Sequence, residues 1–511
     1  MNGVRRRLVA VALALVPAAV SAHIGSPNVY FTGSAGPYAV RVVIQPPIAL
    51  PGRAEINVTA EGHGVQRVRV TPVLAGTPAD ARPRPDLANP VTGVANLYAA
   101  ELWIMEQGAY AIHVEVDGAH GTGETVVPMN AVNLAPAPMP VWLRYGLALL
   151  GSLLIAGMVV ITHAVAGEAS LPPGAVPTAR RQDVARWMGG AAGLLMLALV
   201  VSAWTAWQRL DREYRANQLF KPLPIAARVD AVGDTRLLAL SRLPDERGGR
   251  AWPRLVTDHG KLMHVFLLRE PALDVMAHIH PQARGQLFVV ALPPLPAGTY
   301  RVYADITQED GLSETLTASV ALPDPIAAPA TGSSEPPVPP DPDDSWLVAS
   351  AVTPGAVAQP SAPLADGYRI VWRNPEMVGD ATGAELRFEV LDATGAPAPL
   401  VPYMGMTGHA AVRRLDGSVF AHLHPVGSIS MASQEVLQAS LATGNLLPGG
   451  STAGQMDHRH HQMPAAPAAN VVSFPYVFPR NGPYRIWVQV KVGETVMTGV
   501  FDAVVTAAGT D

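Results

Sequence analysis

Two uninterrupted apolar runs, near Tyr145–Gly167 and Met188–Trp207, constrain this chain more than any other feature. Each is long enough to cross a bilayer as a helix, which takes about 20 residues. The short loop between them carries Arg180, Arg181 and Arg186, and the positive-inside rule keeps such a loop in the cytoplasm. Trp142, Trp204 and Trp207 stand at the opposite ends, where interfacial aromatics gather. The N-terminus gives the same orientation independently. Arg5, Arg6 and Arg7, the apolar run Leu8–Val20 and the small residues to Ala22 form a cleavable secretory signal over 1–22. Residues 23–141 and 208–511 are therefore expected in the periplasm, tethered to a bacterial inner membrane.

Those outer segments show the period-two alternation of β-strands, as in 38–46, 54–60 and 66–73. The 46 Gly and 49 Pro suit turn-rich β-units. Three outer stretches close on one pattern: Gly108-Ala-Tyr110, Gly298-Thr-Tyr300 and Gly482-Pro-Tyr484. A Tyr opening a late strand is the tyrosine corner of immunoglobulin-like sandwiches. The expected fold is mainly β, with three immunoglobulin-like β-sandwich domains outside the membrane and two transmembrane helices. The expected boundaries are a sandwich over 23–141, a transmembrane hairpin over 142–207, a sandwich over 208–323, a Pro-rich linker over 324–345 and a sandwich over 346–511.

The net charge of −5 offers no basic surface, which sets nucleic acid aside as a partner. Cysteine is absent, so a bound transition metal would have to be held by His, Met or carboxylate. The last two sandwiches share a motif that suits one: Gly-x3-His, a short hairpin, then Ala-His-x-His-Pro. It reads Gly260…His264 and Ala277-His278-Ile-His280-Pro281 in one, Gly405…His409 and Ala421-His422-Leu-His424-Pro425 in the other. A turn between Asp416 and Gly417 pairs His409 with His424, and a turn near Ala272 pairs His264 with His280. Residues opposite one another on paired strands share a face, as do residues two apart on one strand. Each hairpin is thus expected to gather three imidazoles, enough for Zn²⁺ or type-2 copper. The competing expectation is a fold signature with hydrogen-bonded histidines.

Two features favour copper, with zinc as the alternative. The third sandwich carries an insertion containing Met456, His458, His460, His461 and Met463, with Met404, Met406 and Met431 near its hairpin. Thioethers select Cu(I). Cleavage after Ala22 would also expose His23 as a chelating N-terminus. In strand pattern and shared motifs the three outer regions resemble the FixH-like and YtkA-like bacterial secreted β-sandwich modules, and His23 directly after the signal peptide resembles the N-terminal copper ligand of CopC-like proteins. The first resemblance implies an association with copper supply to respiratory oxidases.

The expected function is a membrane-anchored, exposed copper binder for storage, delivery or tolerance, partnered by a copper-dependent oxidase or copper transporter. An accessory or scaffold subunit with structural histidines is the alternative. A type-2 copper or zinc enzyme ranks third, because Asp258 and Asp274, the carboxylates nearest the motif, read as turn formers.

Overall fold

In a computed structural model of the chain, the structure describes residues 28–62, 64–137, 139–232, 235–244, 249–324, 338–349, 360–375, 385–443 and 470–506. The chain is mainly β, with several sheets and two long apolar helices. These helices, Val141–Glu168 and Ala179–Asn217, are each long and apolar enough to cross a membrane. They pair through small residues: Gly167 lies against Ala185, and Gly189 and Gly193 lie against Val159. Small side chains let helix backbones approach closely. The second helix runs past the expected end at Trp207, and Arg180, Arg181 and Arg186 lie within it, not in a loop. No Pro or Gly interrupts the stretch 179–188, so its strong helix formers extend the apolar segment backwards.

The first sandwich is an eight-stranded antiparallel sheet between Val29 and Ala131, with its strands in spatial order 1-2-3-6-5-4-7-8. The short strand Asp86–Pro90 joins its two halves. Their inner faces, including Val42, Val58, Val114 and Val127, form one core. The second sandwich pairs a four-stranded sheet with a larger one built on Leu255–Val256, His264–Glu270, Val275–Ile279 and Gly298–Gln308. The third has two four-stranded sheets, one of them built from His409–Arg414, Phe420–Leu423, Gly482–Val492 and Thr495–Val505.

All three tyrosine corners form. Tyr110, Tyr300 and Tyr484 donate their hydroxyls to the carbonyls of Glu106, Pro296 and Arg480, at 3.1, 2.8 and 2.7 Å. The end of the expected linker is ordered on the second sandwich. Val338 is buried against Ala239 and Val289, and Ser345–Val348 extends the larger sheet by pairing with Val275–Ile279.

The sandwiches pack on one another. Phe266, Leu268, Leu273, Met276 and Tyr303 of the second form one buried cluster with Ala411, Phe420 and Trp487 of the third. The helix Met431–Thr443 sets Leu437 against Val73, Ala111 and Val126 of the first. Gly427 bridges Phe31, and a Cβ there would lie 1.8 Å from the Tyr30 carbonyl. Only glycine permits that approach.

Candidate metal centre

The hairpin registers follow the turns read from the sequence. Val265 pairs with Ile279 and Ala410 with Leu423, which sets His264 opposite His280 and His409 opposite His424. Alternation then splits each strand. Val265, Leu267, Ala277 and Ile279 enter the core of the second sandwich, and Ala410, Val412, Ala421 and Leu423 enter that of the third. The histidines take the opposite face together with Phe266, Met276, Phe420 and Trp487. That face is where the two sandwiches meet.

The two expected trios therefore form one buried cluster instead of two separate exposed sites. Ring centroids of His264 and His422 lie 5.6 Å apart, those of His278 and His409 6.2 Å, and those of His278 and His422 5.5 Å. His264, His278, His280, His409 and His424 are at most 3% exposed. The physical reason is the apolar company on the histidine face, which is withdrawn from water only when the sandwiches dock.

The arrangement is nearly two-fold symmetric. His264 pairs with Asp305 and His409 with Gln489, so these positions correspond. Across the interface His278 donates Nδ1–H to Gln489 Oε1 at 2.9 Å, and His422 Nδ1 lies 3.2 Å from Asp305 Oδ2. Each is the other's counterpart.

Outer partners fix which nitrogen faces inward. His280 Nδ1 donates to Asp344 at 2.9 Å and His424 Nδ1 to the Ile429 carbonyl at 2.9 Å. His264 Nε2 donates to the Asp258 carbonyl at 3.1 Å. Gln489 is itself held by Ser345, to which its amide donates at 2.5 Å, while Lys261 grips Asp341 and Asp343 behind His280. Hydrogen bonds of this kind set tautomer and ring orientation around bound metals. The remaining lone pairs point into the cluster. His280 Nε2, His422 Nε2, His424 Nε2 and both nitrogens of His409 are buried with no hydrogen-bond partner in the protein. His264 Nδ1 and His278 Nε2 face each other at 3.2 Å, although the proton of each ring is committed elsewhere.

Burial, reinforced by neighbouring imidazoles, holds His278, His280, His409 and His422 well below the usual histidine range. Burial likewise lowers His264, against the pull of Asp258, and lowers His424 to about 4. Enclosure by protein raises Asp305 to about 6 and Asp344 to about 7. Burial also acts to raise Asp258, but His259, His424 and His264 outweigh it and leave that carboxyl below its ordinary value. The rings are thus neutral donors, the form that binds metal.

Among the described residues, potential ligand atoms converge in three groups within 4.8 Å: His264, His278 and His280; His259, His409 and His424; and His280, Asp341 and Asp344. The first is an expected trio. In the second, His259 takes the place expected of His422, which lies between the groups and keeps Nδ1 on Asp305. His259, Asp305, Asp344 and Gln489 were not among the expected site residues. The signal for His259 was Asp258-His-Gly260, which places a histidine five residues before His264. The signal for docking was the unbroken apolar run around Phe266 and Leu268, since strands buried on both faces lose alternation. Asp274 is held by Arg269 at 2.9 Å. Met406 packs with Phe31, Val426 and Ile429. His23, Met456, His458, His460, His461 and Met463 lie outside the described residues.

The profile of a domain of unknown function (DUF8832) matches residues 363–507. No curated protein matches. Among solved structures, a Salmonella alpha-2-macroglobulin is 9% identical over 95% of this chain and 24% of its own, with a TM-score of 0.18. The chain thus spans about a quarter of that protein's length. A biofilm-associated protein BSP domain is 7% identical over 96% of this chain and 68% of its own, at a TM-score of 0.13. An endo-fucoidan hydrolase of glycoside hydrolase family 107 is 10% identical over 91% and 43%, at 0.16.

Proposed function

We propose that the chain is a membrane-anchored metal-binding protein whose interdomain histidine cluster holds copper, with the sandwiches on the periplasmic side. The observation that carries this is the 3.2 Å approach of His264 Nδ1 and His278 Nε2, the nitrogens left as lone pairs when His264 Nε2–H binds the Asp258 carbonyl and His278 Nδ1–H binds Gln489 Oε1. Two nitrogens each about 2.0 Å from one tetrahedral ion lie about 3.3 Å apart, so a shared cation turns a repulsive contact into a ligand edge. The unpartnered nitrogens around it add to the case. Each buried unsatisfied polar group costs about 1–3 kcal/mol, which disfavours a purely structural role. A neutral all-imidazole donor set suits copper in both oxidation states, and copper(II) stands highest among the divalent ions for such ligands. Burial favours retention, hence storage or tolerance, over rapid delivery to an oxidase or transporter. The orientation rests on the secretory signal and on Arg180, Arg181 and Arg186.

Metal analysis of the purified full chain in detergent, after copper and zinc loading and a chelator wash, tests this. Copper retained near stoichiometry is expected. Zinc retained in its place would overturn the choice of metal, and neither retained would overturn the centre itself.

A further inference from the structure

We infer that the centre is dinuclear: one ion on His264, His278 and His280, and a second on His259, His409 and His424. This rests on the metal-binding proposal and goes beyond it in number and in ligand membership. Each trio brings its ligand atoms within 4.8 Å of one another. Each draws its motif histidines from one sandwich, but the second is completed across the interface, where the His259 ring lies 5.5 Å from that of His409 and 5.2 Å from that of His424.

The position of His259 is built by a backbone device found twice. His259 and Met404 both adopt left-handed backbone, with φ of 52° and 49°, and each precedes a left-handed glycine, Gly260 or Gly405. A tight bridge closes each turn, Asp258 to Lys261 and Tyr403 to Met406. A non-glycine residue there is strained, and such strain persists where the surroundings over-determine it. The same turn presents an imidazole in the second sandwich and a thioether in the third. The two ion positions are therefore related by the approximate two-fold yet chemically unequal.

Charge supports two ions. Asp258 faces His259, His264 and His424; Asp305 faces His422; Asp344 backs His280. These carboxylates lie on both sides of the cluster, which a single ion on one trio would not require. His422, with its unpartnered Nε2 between the trios, is available to either.

The test loads the full chain in detergent with Cu(II) and reads metal content together with electron paramagnetic resonance. Two ions per chain are expected, with a half-field transition from a coupled pair. His259→Gln and His280→Gln should each reduce the content to one ion and restore an uncoupled signal, and circular dichroism should show both variants folded. One ion per chain in the native protein, without a half-field signal, overturns the dinuclear assignment while leaving the metal centre standing. A coupled pair persisting in folded His259→Gln overturns the ligand membership. No bound ion at all is the failure of the underlying proposal.

Discussion

The second and third sandwiches carry the same hairpin motif and bury it against each other, yet they support that contact by different means. At corresponding positions stand Arg301, paired in register with Ser319, and Arg485, paired with Asp502. Arg301 makes loose contacts to Ser319 and Thr317 at 3.3 and 3.2 Å. Arg485 is fully buried, clamped by Asp502 at 2.7 Å from two nitrogens and donating to the Leu273 carbonyl of the other sandwich at 3.0 Å. The histidines are shared almost symmetrically, whereas the scaffold that holds them is weighted toward the third domain. A duplicated motif thus preserves histidine geometry while its surroundings diverge.

The sharpest way to break this comparison is to remove Asp502 and Arg301 in turn. Asp502→Ala strands the Arg485 charge in the interface and should lower stability by about 3–5 kcal/mol. Arg301→Ala, at a half-exposed site, should cost less than about 0.5 kcal/mol. Chemical denaturation followed by tryptophan fluorescence would show the difference, and equal effects would mean the two supports are alike.

Acid should next expose the cost of the shared histidine face in the metal-free chain. His424 has a folded pKa of about 4, below the usual 6.5, so the unfolded chain takes up the proton first and stability falls as pH drops from about 6.5 to about 4. That single ring accounts for on the order of 3 kcal/mol. The other depressed histidines act in the same direction. Asp305 and Asp344, raised to about 6 and 7, bind protons first in the folded state and oppose the trend over that range. Denaturation midpoints that stay flat or rise between pH 6.5 and 4 would overturn the expectation that the histidines outweigh the two carboxyls.

Outer hydrogen bonds should tune copper on both sides. Gln489→Leu, which frees His278, should weaken binding about 10–100-fold in chelator competition, and Asp305→Leu, which frees His422, should match it where His422 joins an ion. An effect from only one of them would make the centre one-sided. Tyr300→Phe and Tyr484→Phe should each cost about 1 kcal/mol, the worth of one hydrogen bond, with Tyr110→Phe matching them if the three corners are equivalent.

The sequence alone determined what neighbouring residues control. Turn residues at Asp416-Gly417 and near Ala272 set both registers, and a period of two put His264, His278 and His280 on one face and His409, His422 and His424 on another. The tyrosine corners and the two long apolar helices were legible for the same reason, since each is written within a few residues or a single run. What the tertiary structure decided was the union of those faces, the exchange of His422 for His259 in the second ligand group, and the carboxylates and amide behind the rings. Those follow from docking, in which groups such as His278 and Gln489 meet across 211 residues of chain. No local pattern encodes such a meeting, because it is driven by apolar surface on two sheets that becomes buried only when both are already formed.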